Sequence, residues 1–145
     1  MTSWRDDTSA SAQDDLDSIL NTGLEAAINQ LTRHGEFFPF GVTVAGDGED
    51  QLVAAEPGLG EQPPSLEVLR MLVEGARATR TENRAVAFVS DVKLSDGSDA
   101  IRVEMEHREG VALAVVAPYR RRRFGRLVNL GSLSASAAEP RVWTD

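Results

Sequence analysis

Cysteine is absent from all 145 residues, which excludes disulfides and thiolate metal sites and makes a cytoplasmic setting the default. Lysine is nearly absent: Lys93 stands alone beside fourteen arginines, and with the abundant alanine this bias points to a GC-rich bacterial genome. No apolar run approaches the ~20 residues of a membrane span. Met1 to Asp15 is acidic and holds no apolar stretch, so neither a membrane partner nor a secretory signal is expected. Gly58-Leu59-Gly60 follows a strand pattern and precedes a helix pattern, but no Lys-Ser/Thr pair follows, and Pro63 and Pro64 remove two amide donors a phosphate would need. Asp47, Glu49 and Asp50 lack the spacing of a calcium loop. No cofactor and no metal site is expected.

What is present is an ordinary globular composition, 41% hydrophobic and 26% charged, with a net charge of −8 and enough length for one domain with a real core. The charge is uneven. Met1 to Pro64 carries twelve acids and two bases, and Ser65 to Asp145 carries eleven acids and thirteen bases. An asymmetry of that kind suits a partner that reads one face, or self-association.

Residues 1–14 are small, polar and acidic and are expected to be disordered. Residues 15–131 are expected to form a single domain, and 132–145 a small-residue tail pinned by Val142 and Trp143. Leu16, Ile19, Leu20, Leu24, Ile28 and Leu31 draw one apolar stripe on a helix that Asp14 or Asp15 can cap and Gly35 can end. Gly23 inside it marks close packing against a neighbour. Phe38, Phe40, Val42 and Val44 alternate as a strand, Gly46-Asp47-Gly48 turns, and Gln51 to Glu56 returns. After a loop over Pro57 to Pro64, Ser65 opens a second helix with Leu66, Leu69, Leu72, Val73 and Ala76 inside.

Three strands follow. A two-residue turn at Gly97-Ser98 sets Leu94 opposite Ile101, Val92 opposite Val103, Ser90 opposite Met105 and Phe88 opposite His107. A three-residue loop at Arg108-Glu109-Gly110 sets Met105 opposite Leu113. The expected fold is α+β, a two-layer sandwich in the order helix–β–β–helix–β–β–β, with an antiparallel sheet and both helices on one face. This order resembles that of the roadblock and profilin-like folds over about residues 15 to 119, a likeness of topology alone.

That register leaves an outer face carrying Ala87, Val89, Asp91 and Lys93, then Arg102, Glu104, Glu106 and Arg108, then Ala112, Ala114 and Val116. Asp91 then lies opposite Glu104, with Glu106 two residues along, as a paired-carboxylate or cation site requires. The plainer reading is a solvated face with Lys93–Glu104 and Arg102–Asp91 pairs. His34 and His107 lack an adjacent nucleophile and orienting group, so no catalytic residue is assigned.

The remaining feature is basic: Tyr119, then Arg120, Arg121, Arg122 and Arg123, then Phe124 and Arg126. Alternation forbids burying all four arginines, so the strand should end near Tyr119. Aromatic–basic interleaving can bind single-stranded RNA, but overall acidity opposes it. The sequence therefore points to a non-enzymatic binding protein, of adaptor, chaperone or immunity type and homodimeric. It would act through the sheet face or the Arg120–Arg126 loop on an acidic protein partner or a second copy.

Overall fold

The computed structural model describes residues 8–54, 65–121 and 128–144. The loop with Gly58-Leu59-Gly60, the first seven residues of the acidic 1–14 segment, and Arg122, Arg123, Phe124 and Arg126 lie outside the described residues. The apolar stripe begins earlier than its large side chains suggest. Helix α1 runs Ala10–His34, because Ala12, fully buried, extends the Leu16–Ile19 stripe one turn back. Ser9 caps it, its Oγ accepting from Ala12 N at 3.1 Å, and Gly35 ends it in the left-handed conformation with φ 78°. The cap is thus Ser9 and not Asp14 or Asp15, and residues 10–14 belong to the folded domain. Gly23 lies where an added Cβ would meet Val89 Cγ2 at 3.0 Å, so the helix approaches the sheet closely there.

The other elements are β1 (Phe40–Ala45), β2 (Asp50–Val53), α2 (Ser65–Ala78), a 3-10 turn (Arg80–Glu82), β3 (Asn83–Lys93), β4 (Asp99–His107), β5 (Ala112–Arg121), β6 (Val128–Leu130) and β7 (Ser134–Ala137). The class is α+β, and the helix–strand order is the expected one. Every strand pair is antiparallel, in the spatial order β2-β1-β3-β4-β5-β6, with β7 also pairing β5.

One loop type closes three hairpins. In each, a residue's N–H and C=O bracket a three-residue loop whose last member is a left-handed glycine. The pairs are Ala45 and Glu49 around Gly48, Leu94 and Ser98 around Gly97, and His107 and Val111 around Gly110. The loop at Arg108-Glu109-Gly110 and the Met105–Leu113 pairing are as expected. The β3–β4 turn is not the two-residue turn at Gly97-Ser98. Asp96 Oδ1 accepts from Ser98 N and Ser98 Oγ, which holds Ser95-Asp96-Gly97 as the loop. The register therefore moves by an odd number of residues, and Val89 pairs Val103, Ala87 pairs Met105 and Ala85 pairs His107. An odd shift exchanges the two faces of a strand.

β3 is apolar on both faces, and the two helices divide them. Leu16, Ile19, Leu24, Ala27 and Leu31 of α1 pack with Val42, Val44, Ala85, Ala87, Val89, Ile101, Val103, Met105, Leu113 and Val115. Val68, Leu72 and Ala76 of α2 pack with the alternate residues Val86 and Phe88, and with Val142 from the C-terminal segment. The single-layer covering therefore holds for α1, while α2 rests on the residues that point the other way. Ala87 and Val89, expected on an outer face, are fully buried under α1.

β5 carries Pro118 in its interior. Its oxygen accepts from Gly131 N at 2.7 Å, but it has no N–H to give. The return strand breaks there into β6 and β7: Tyr119 pairs Leu130 and Val116 pairs Ser134, so Ala117 and Pro118 on β5 stand against three residues, Gly131 to Leu133, on its partner.

Candidate functional site

The true register separates the expected acid pair. Asp91 is opposite Ile101, on the α1 side, whereas Glu104 is opposite Phe88 and Glu106 opposite Val86, on the α2 side. No shared proton or bridging cation can span a sheet, so the paired-carboxylate geometry is gone. The diagonal pairs go with it: Lys93 Nζ meets Asp99 at 2.7 Å, and Arg102 sits 3.8 Å from Glu104. Among the described residues no three His, Asp or Glu side chains converge as metal ligands.

Asp91 accepts a hydrogen bond from Tyr119 Oη at 2.8 Å. Burial raises the Asp91 carboxyl above the usual carboxylate range, and the Tyr119 hydrogen bond only partly opposes it. Tyr119 is itself pushed up, first by burial and then by the carboxylate it serves. Its ring is buried, so no face of it is free for a base to stack on. β5 also runs past Tyr119 to include Arg120 and Arg121, both exposed, because β6 pairs with them. Arg121 donates to Gly35 O at 3.2 Å, where a cation offsets the negative end of α1.

Glu106 has the most developed environment of the sequence-derived candidates. It is only 5% exposed, and its carboxylate accepts three consecutive backbone N–H groups, from Arg141 (2.6 Å), Val142 (2.9 Å) and Trp143 (2.7 Å). The carbonyls of the same segment are taken by arginines. Arg77 donates to Arg141 O, and Arg80 donates to Val142 O and Thr144 O. Trp143 Nε1 returns a bond to Arg80 O, and Arg141 pairs with Glu104 at 2.9 Å. Val142, fully buried, completes the small core under α2. Sequence reasoning pinned the tail by Val142 and Trp143 but had no signal for the acid that receives it.

His107 is buried at 2% exposure, with Nε2 2.9 Å from Asp15 Oδ2, while Arg84 holds the other Asp15 oxygen at 2.7 Å. Glu109 N–H donates to His107 Nδ1 at 3.1 Å, which leaves the ring proton on Nε2, facing Asp15. Both ring nitrogens are therefore occupied. Ser90 points to the other side of the sheet, with Arg102 as its strand partner. The cluster fastens α1 to the ends of β3 and β4.

The α2-side face is only partly covered. A groove of about 400 Å³ runs between α2 and the β3–β4 surface, floored by Leu69, Val73, Phe88 and Val92 and rimmed by Arg70, Glu74, Arg102, Glu104 and Arg141. Leu66, at the start of α2 and 82% exposed, stands at its edge. Beyond it, Val116 and Pro118 of β5 remain half-exposed. Arg108 lies in the hairpin loop after β4, exposed and away from this groove, with its N–H bonded to Arg84 O. The groove thus brings together Arg102 and Glu104, while Asp91, Arg108, Tyr119, Arg120 and Arg121 lie elsewhere.

No family model, no curated protein and no solved structure matches this chain.

Proposed function

We propose that the chain is a non-enzymatic protein-binding module, acting as a homodimer, that uses the part of its α2-side sheet face that no helix covers. One observation carries this reading. An apolar floor of Leu69, Val73, Phe88 and Val92 is left open beside an exposed Leu66, inside a rim of both charge signs. An apolar centre within a charged rim is the anatomy of a protein interface. The Arg120–Arg121 pair is a second exposed patch, suited to an acidic partner. The paired-carboxylate alternative has lost its geometric motive, since Asp91 and Glu104 occupy opposite faces.

Sedimentation velocity on the full chain and on Leu66→Arg tests the reading. A dimer that Leu66→Arg splits, with unchanged circular dichroism, is the expected result. A monomer at the highest attainable concentration removes the homodimer. The module itself falls if Leu66→Arg, and separately the replacement of Arg120 to Arg123 by serine, leave every cross-linked partner in place.

A further inference from the structure

The segment 139–144 is held in an unusual way. Among the described residues, Ala138 N to Ala112 O is the last backbone–backbone bond before the C-terminus. Beyond it, six backbone groups of residues 141–144 are met by only three side chains, those of Glu106, Arg77 and Arg80. Side chains that read a backbone do not depend on the sequence they hold. Two side-chain contacts add selectivity. Val142 fills a pocket formed by Val68, Leu72, Ala76, Val86 and Phe88, and the Trp143 indole N–H reaches Arg80 O. This combination of backbone capture and a pocket for a chosen side chain is how peptide-recognition clefts work.

We propose that the cleft between β4, α2 and the 3-10 turn is a peptide-binding site that the chain fills with its own C-terminal segment. Its ligand in trans is a partner protein's extended segment carrying an aliphatic residue followed by tryptophan. The inference does not rest on the sheet-face reading, because it concerns a filled cleft and not the open groove. The physical case has two parts. Arg141 is half-exposed, Trp143 is partly buried and only Val142 is fully buried, so much of the hold on the segment lies in six backbone hydrogen bonds that an outside peptide could equally supply. Once it leaves, the Glu106 carboxylate loses all three of its backbone donors, which favours prompt refilling. An intramolecular occupant competes at an effective concentration on the order of millimolar, so the wild-type chain should admit an outside peptide poorly.

The test uses a fluorescein-labelled peptide of residues 139–145, Glu-Pro-Arg-Val-Trp-Thr-Asp, and fluorescence anisotropy on the full chain. Val142→Asp, which expels the tail, should bind the peptide saturably and about tenfold or more tighter than wild type. Adding Glu106→Ala to Val142→Asp should abolish that binding. A folded Val142→Asp chain that ignores the peptide, or binds no better than wild type, overturns the proposal. If Val142→Asp fails to fold, hydrogen exchange on the wild type decides. The amides of residues 141–143 should exchange about a hundredfold or more faster than those of β3 and β4. Exchange of the tail only with global unfolding would make it a fixed part of the core and end the proposal. Self-association of the wild type that requires Glu106 would identify the partner as a second copy, which supplies the same segment.

Discussion

The two faces of the sheet are built differently. On the α1 side, large aliphatics from a 25-residue helix meet the inward residues of four strands in one continuous cluster. On the α2 side, a 14-residue helix rests mainly on β1 and β3, and a short tail held by a carboxylate completes the small core. A face covered by continuous packing has little left to offer a partner. A face completed by polar clamps and an open groove does, and both functional proposals fall on that side.

This contrast can be broken in a graded series. The largest effect is expected at Asp15, which ties α1 to β3 and β4. Asp15→Ala strands the buried His107 and the half-buried Arg84, and should lower unfolding stability by about 3–5 kcal/mol in urea titration. A loss below ~1 kcal/mol would show that the cluster is not the anchor. Next comes a matched pair. Leu16→Ala, under continuous packing, should cost toward the upper part of about 2–5 kcal/mol, and Leu72→Ala, which lines a second open cavity of about 710 Å³ between α2 and β1 with Gly41, Thr43 and Met71, toward the lower part. Equal losses would mean that the two faces are equally well packed.

The smallest effects concern Asp91 and Tyr119. Asn at 91 keeps an acceptor for Tyr119 but removes a charge that burial disfavours. Asp91→Asn should therefore be neutral to slightly stabilising at pH 7, within about 1 kcal/mol. The sign follows from the upward shift. The stability Asp91 adds is fully present below the ordinary carboxylate range and is lost as pH rises through its raised value. Tyr119 behaves likewise at the alkaline end, its contribution complete below ~10 and lost as pH rises through its elevated folded value. As the only tyrosine, it can be followed alone at the phenolate absorbance band. The wild-type transition should lie above the usual tyrosine range, and Asp91→Asn should move it down. An ordinary midpoint in both chains would refute the coupling.

Most of the fold was legible because it is carried by local pattern. The α1 stripe, the Gly35 stop, the β4–β5 loop and the inward set Ile101, Val103, Met105, Leu113 and Val115 follow from periodicity and turn chemistry. The error in β3 has a single origin. Ala85 to Val89 is an uninterrupted apolar run, the mark of a strand buried on both faces, and such a run gives alternation no direction. The turn had to set the register, and Gly97-Ser98 and Ser95-Asp96-Gly97 differ by an odd shift. The shared Asp-Gly or Glu-Gly ending of all three loops was the available signal. The clamp made by Glu106, named from sequence only as a sheet-face acid, could not be read. Its three donors lie more than thirty residues away and are backbone amides, which leave no trace in side-chain identity.

Pro118 has a mechanical consequence. The missing donor splits the return strand, so β6 and β7 do not form one continuous ladder along β5. Traction on the C-terminus should first load the clamp at Glu106 and then peel β7 from Leu113 toward Val116 one rung at a time. The interruption at Pro118 should then act as a crack stopper, leaving β6 and the Arg121 contact at the end of α1 in place after the outer edge has gone.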